Sequence, residues 1–449
     1  MTKSQHYKKS IALALPVMLG QLGHVMVGLA DSIMIGQIGT IPLAASAFAN
    51  SIFAIPLVFG IGMAYGMTPP IAMADGENNT AKAGNFLKHG LAVNLATGLL
   101  IFLLVLLFSS FSHLLGQEPE VLEMSYFYLY IITSSIFFFM LFLTFKQFAE
   151  GLSDTIFAMW ASIGANLINI LLNYLMIYGN WGFPELGLEG AGYATLISRG
   201  IMALVMMIYV LKNSKFKKHL KDWLRDKWHR SYFKTLLDLG IPGGLQYVFE
   251  ISAFALAAIF AGQIGASSLA AHQVAISLAA LSYMAASGLG AAATVRVGNQ
   301  LGRKDFYSLK EAARSCFVLA LAFMAICGLI FYLGRDYFPL FYTDDLEVIK
   351  IASSLLVIAV VFQLSDGLQV AVLGALRGMS DVKIPTIITF FSYWIIGIGG
   401  AYGMGIYLEW GPQGIWYGLA SGLTVSALLL YWRFHWKLNF LAKKAMDKN

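Results

Sequence analysis

Three acids stand in stretches of this chain that otherwise read as hydrocarbon. Asp31 interrupts PVMLGQLGHVMVGLADSIMIG, Glu250 interrupts PGGLQYVFEISAFALAAIFAG, and Asp366 interrupts IASSLLVIAVVFQLSDGLQVAVLGAL. An ionisable side chain near a bilayer centre costs roughly 3 kcal/mol on insertion scales. Such a residue faces a bundle interior or water and is a functional candidate by default. Carboxylates placed there can hold a proton, bind a metal cation or attract an organic one. With few other buried charges in the chain, three of them suggest a path for ions. Arg199 is the nearest basic rival for pairing, and no basic residue stands in register with any of the three.

The elements that must position these acids follow from composition. The chain has 449 residues, 58% hydrophobic and 12% charged, where a soluble protein carries about a quarter charged. Its apolar stretches reach the ~20 residues that a helix needs to cross hydrocarbon, and roughly twelve can be read. Runs such as LLIFLLVLLF do not alternate, which excludes a barrel. The expectation is an all-α membrane protein lying in a lipid bilayer. The net charge of +6 follows topology and implies no nucleic-acid partner. Basic residues collect at Lys3, Lys8 and Lys9, in KNSKFKKHLKDWLRDKWHR (212–230), around Arg296, Arg303 and Lys304, and in LAKKAMDKN. The alternate loops HLLGQEPEVLE, GNWGFPELGLEG, YTDDLE and YLEWGPQG are neutral or acidic. By the positive-inside rule both termini are cytoplasmic, in a bacterial-type plasma (inner) membrane. The first apolar segment is too long for a cleavable signal and contains an acid, so it reads as a span. Cys316 and Cys327 fall on one helix and suit small core positions, not a disulfide or metal site.

The chain is also written twice. GQIG at 36–39 falls on GQIG at 262–265, an offset of 226 residues, and Pro16 then matches Pro242. Leu43-Ala44-Ala45 matches Leu269-Ala270-Ala271, Gly62 matches Gly288, and Thr68 matches Thr294. EGLSD from Glu150 pairs with RGMSD from Arg377 at an offset of 227. Two pseudo-symmetric six-helix lobes follow, 1–211 and 236–449, joined by a basic cytoplasmic linker at 212–235. An even number of spans per lobe makes them parallel repeats. Pro16 and Pro242 suit the opening turns of their helices, with a hinge as the other reading. The acids do not repeat: Asp31 faces Ala257, Glu250 faces His24, and Asp366 faces Phe139. Architecture kept in both halves while charge was not points to function, and to different duties for the lobes.

At this point the chain resembles the multidrug and toxin extrusion (MATE) family in its NorM-like branch. The resemblance runs the full length through GLADSIMIG, YVFEISAF, GLGAAATVRVGNQLGRKD and FQLSDGLQVAVLGALRGMSD. It implies a secondary antiporter that exports amphipathic, mostly cationic drugs, dyes and toxins in exchange for Na⁺ or H⁺ by alternating access. It also implies one cation site at Asp31, Asn169, Asn173 and Thr195, and another at Glu250, Tyr283 and Asp366. Na⁺ is then expected at Glu250, Asp366 or Asp31. Asp344 and Asp345, at the entrance to the tenth span, match acids linked to substrate capture in one sub-branch. The residues agree in kind. Asn169 and Asn173, spaced i,i+4, share a helix face and with an Asp and a Thr supply hard oxygens that suit Na⁺ or a hydrogen-bonded proton. Tyr283 offers an aromatic face to a cation. His24, seven residues before Asp31, shares its face and reads as a satisfied interior histidine, a proton relay or a substrate contact. Asp344 and Asp345 also suit helix capping.

Other classes fare less well. A flippase for a lipid-linked precursor, the alternative within the superfamily, would want basic groups inside several spans for pyrophosphate. A channel would show rings of like residues or a filter loop. No HExxH, GxSxG or phosphate-binding loop is present, so no enzyme and no cofactor are expected, and any energy source is an ion gradient. The protein is expected to work as a monomer.

Overall fold

The structure is a computed structural model that describes every residue except 1, 112–115, 222 and 448–449. Parts of three loops used for topology therefore lie outside the described residues: 113–115 in HLLGQEPEVLE, Asp222 in the basic run and 448–449 in LAKKAMDKN. Among the described residues, twelve helices are long and apolar enough to cross a membrane. They are α1 Lys3–Gly36, α2 Thr40–Gly76, α3 Thr80–Ser109, α4 Pro119–Gly151, α5 Ile156–Tyr178 and α6 Gly187–Lys212, followed by α7 Arg230–Ile264, α8 Ala266–Gly302, α9 Phe306–Gly334, α10 Leu346–Gly378, α11 Lys383–Tyr407 and α12 Gly411–Met446. No strand occurs among the described residues. Rows of leucine, among them Leu99, Leu100, Leu103 and Leu107 on α3, stay exposed, as a lipid-facing surface requires.

The written repeat is also a conformational one. Gly39 and Gly265 both take positive φ, at 140° and 159°, to end the two GQIG turns. Asn78 and Lys304 are both left-handed, at 55° and 59°. The next residues, Asn79 and Asp305, then cap α3 and α9 by accepting from Lys82 N and Ser308 N. Bonds to the Ser308 backbone and side chain hold the Asp305 carboxyl below the usual carboxylate range. Ser153 and Ser380 repeat the same left-handed turn after α4 and α10. Short polar side chains recur where the chain must reverse, which is why these turns survived in both halves.

The chain forms two compact units: Leu19–Gly244, and Leu245–Asn449 together with Met1–Met18. The two boundaries themselves lie 226 residues apart, so α1 and α7 are divided at matched points. Both crossings follow a proline by two residues. Pro16 and Pro242 are interior to α1 and α7, not in their opening turns, because the helices begin at Lys3 and Arg230. Roughly three helical turns precede each proline, and each ring removes one ladder hydrogen bond.

Each unit has its own fastening. In the amino-terminal unit, the basic run after α6 is docked. Phe216 is fully buried and Lys215 Nζ lies 2.8 Å from Asp154 Oδ2. Asn85 donates to Asp226 Oδ2 at 2.8 Å, Lys88 donates to the Asp226 carbonyl, and His229 N donates to His89 Nε2 at 3.0 Å. In the carboxyl-terminal unit, buried Arg296 of α8 holds the start of α1. Its Nη1 donates to the His6 carbonyl at 2.7 Å and to Ser315 Oγ at 3.0 Å. In the same unit Gly414, Gly418 and Gly422 line one face of α12 against α11. A Cβ on Gly422 would stand 2.6 Å from the Ser392 carbonyl, so only glycine permits this approach.

Candidate functional site

Asp31 and its expected companions come together in the amino-terminal unit. Asn173 Nδ2 on α5 donates to Asp31 Oδ1 at 2.5 Å and faces Asn169 Oδ1 at 3.4 Å. Asn169 Nδ2 reaches Thr195 Oγ1 and Ser198 Oγ on α6, each at 3.4 Å. Three helices thus converge on one carboxylate, one turn of α5 supplying both amides as the i,i+4 spacing requires. Asn169 and Asn173 are buried, and Asn173 Oδ1 has no hydrogen-bond partner. A buried oxygen left without a donor costs roughly 1–3 kcal/mol, and a cation or a proton donor would satisfy it. Tyr128 on α4, bonded to Asn50, and Arg199 on α6 lie within electrostatic reach of Asp31. Arg199 is turned away into a different contact, donating to Ser135 Oγ at 2.7 Å.

The carboxyl-terminal unit holds the second centre. Glu250 on α7 is buried, and its Oε1 accepts from Tyr393 OH at 3.3 Å. Tyr283 on α8 also bonds Glu250, so it meets the site through its hydroxyl. Asp366 on α10 is 3% exposed and lies within electrostatic reach of Glu250. Gln369 Nε2 donates to Tyr393 OH at 2.7 Å, tying α10 and α11 to the carboxylates. Tyr393 lies in a π-helical stretch, Phe391–Ile398, a local widening that often marks functional sites.

The sequence assigned no basic partner here, and the structure supplies Arg377. Its guanidinium donates to Gln246 Oε1 at 2.7 Å and to Tyr247 OH at 3.4 Å, and its charge reaches Glu250. Gln369 was legible three residues from Asp366, on the same helix face. Tyr393 was not, because one tyrosine in IITFFSYWIIG looks like any packed aromatic. Arg377, at the end of α10, stands in the sequence only as the first residue of the repeated RGMSD turn.

His24 and the outer acids lie elsewhere. The accessible His24 ring stacks on Phe139, centroids 6.1 Å apart and planes 12° apart. Asp345 caps α10, its Oδ1 accepting from Glu347 N at 2.9 Å, and Asp344 beside it is exposed. At ~1.5 Å per residue they stand about 30 Å along α10 from Asp366. Among the described residues no group of three His, Cys, Asp or Glu side chains could hold a metal ion. Any cation here would be held mainly by amide and hydroxyl oxygens around one or two carboxylates.

Comparison with known proteins identifies the family. The MatE family model matches the chain twice, at residues 16–175 and 242–402, starts that are again 226 apart. The multidrug resistance protein NorM of Photobacterium profundum is 32% identical, over 96% of this chain and 95% of its own length. That of Aliivibrio fischeri is 32% identical, over 95% and 94%. Among solved structures, a MATE protein in the bent conformation superimposes with a TM-score of 0.90 at 22% identity, covering 99% of each chain. A MATE protein in complex with MaD3S gives 0.90 at 23%, covering 98% of this chain and 97% of the other.

Proposed function

The chain belongs to the multidrug and toxin extrusion family, and we propose that it exports amphipathic, mostly cationic organic compounds in exchange for Na⁺ or H⁺. It is a multidrug efflux transporter of the membrane and not an enzyme. One observation supports the coupling. Each unit holds an acid centre, half-buried at Asp31 and buried at Glu250, whose hydrogen-bond partners are neutral amides and hydroxyls. A buried carboxylate without a fixed ion pair is a site that a cation can occupy and leave. An ion that binds one conformation more tightly than the other shifts the equilibrium by that difference. Exchange follows when the organic cation and the ion favour opposite conformations. Asp31, Asn169, Asn173 and Thr195 form one coupling site in this reading, and Glu250, Tyr283 and Asp366 the other. No cofactor takes part, and a monomer suffices because each site is complete within one unit.

Everted vesicles loaded by a pH or a Na⁺ gradient, imposed separately, test the reading. Uptake of an ethidium-like dye is expected to follow at least one gradient and to collapse when that gradient is dissipated. Dye movement indifferent to both would overturn it.

The orientation is proposed from charge: both termini and the 212–230 run face the cytoplasm of a bacterial-type inner membrane. Lys218 and Glu185 are both exposed. An impermeant maleimide added to intact cells is expected to label Glu185→Cys and to leave Lys218→Cys unlabelled. The reverse pattern would invert the topology.

A further inference from the structure

The offsets of 226 and 227 that superimpose the two halves also superimpose their polar centres, with the charge inverted. Glu250 falls on His24, Asp366 on Phe139, and Arg377 on Glu150. The matched pairs are neighbours in both units: Glu250 and Asp366 lie within electrostatic reach, while His24 and Phe139 stack. Where one unit presents two carboxylates, the other presents an imidazole on a phenyl ring.

A guanidinium completes the inverted centre. The Arg199 Cζ lies 5.0 Å from the Phe139 ring centroid and 5.8 Å from that of Phe53. Arg199 has five N–H donors, and its hydrogen bond goes to the neutral hydroxyl of Ser135. The nearby acid, Asp31, is held by Asn173 at 2.5 Å. No ion pair joins Asp31 to Arg199 among the described residues. The other cation acting on His24 is Lys146, which is paired with Glu150 at 3.2 Å. Arg199 therefore keeps donors free beside the His24 ring, which is accessible and lies on the same Phe139 ring.

We propose that His24 and Arg199, the latter held by the rings of Phe53 and Phe139, form an anion subsite that reads a carboxylate carried on the exported compound. The guanidinium fork matches a carboxylate in two parallel hydrogen bonds, and the buried rings of Phe53 and Phe139 hold the guanidinium in place by cation–π contact. The subsite gives the amino-terminal unit a selectivity opposite to that of the acids. It rests on the export reading, which it deepens by naming the substrate class.

Binding of rhodamine B, which carries a free carboxylate, is compared with binding of its ethyl ester to the purified full-length protein by fluorescence anisotropy. A charge-assisted bidentate contact makes the expected preference for the acid about tenfold in the wild type. Arg199→Gln should abolish that preference, Arg199→Lys should keep part of it, and His24→Gln should reduce it. Should Arg199→Gln not fold, His24→Gln and the wild-type pair still decide. Equal affinity of the wild type for both dyes, or a preference unchanged in the folded variants, overturns the subsite. A preference that behaves as expected while vesicles transport neither dye would sink the export reading alone.

Discussion

Glu250→Gln and Asp366→Asn are each expected to reduce dye resistance to the level of cells lacking the protein, at matched amounts in the membrane. Both carboxyls are buried in one centre, and each substitution removes a charge while keeping the shape. Little cavity is opened, so packing gives no reason for misfolding. The Glu250 site retains its neighbours Tyr393 and Gln369 but loses the charge that would hold a cation. Nearby Arg377 makes the loss larger. Once one carboxylate is gone, the guanidinium's positive charge, bonded to Gln246 at 2.7 Å, is opposed by one acid in place of two. A single remaining carboxylate beside a fixed positive charge attracts a second cation weakly. Minimum inhibitory concentrations for an ethidium-like dye, read beside immunoblots of membrane fractions, measure this. Full resistance in both variants would remove the carboxyl-terminal centre from the coupling mechanism.

Asp31→Asn is expected to stop exchange by a different route. The asparagine mimics an occupied site: the charge is gone, and its Oδ1 can still accept from Asn173. The α1–α5 contact then persists whether or not Na⁺ or a proton is offered. A ligand moves an equilibrium only through differential affinity, so a site that no longer responds to the ion cannot pass its binding on. Spin labels at Glu185→Cys and Asp344→Cys, both exposed positions, report the conformational populations. In the otherwise unmodified protein the distance distribution should shift with Na⁺ or pH. In Asp31→Asn it should stay fixed, with dye export lost. A mutant that responds like the unmodified protein would make Asp31 a packing residue and leave coupling to Glu250 and Asp366.

Much of this protein could be read from residues alone, because the bilayer leaves few alternatives. A backbone in hydrocarbon must satisfy its hydrogen bonds within the segment, so runs such as LLIFLLVLLF had one outcome. The repeat was legible because GQIG and the EGLSD/RGMSD turns need glycine or short polar residues at fixed places, and Ser153 and Ser380 mark one such turn in both copies. Asp31, Glu250 and Asp366 stood out because charge in hydrocarbon is costly. Asn169 and Asn173 could be placed together because helical spacing is local.

What only the tertiary structure decided was everything that depends on a neighbouring helix. Pro16 and Pro242 lie inside their helices because the turns before them are helical too: those of α1 pack in the carboxyl-terminal unit, and those of α7 in the amino-terminal one. Tyr393 and Arg377 joined the Glu250 centre through contacts between α7, α10 and α11. Arg199 met Phe139 across α6 and α4 and so turned a sequence rival of Asp31 into the centre of an inverted site. Hydrophobicity and helical period act along the chain and are written in it, whereas the partner of a buried charge is chosen by packing across it.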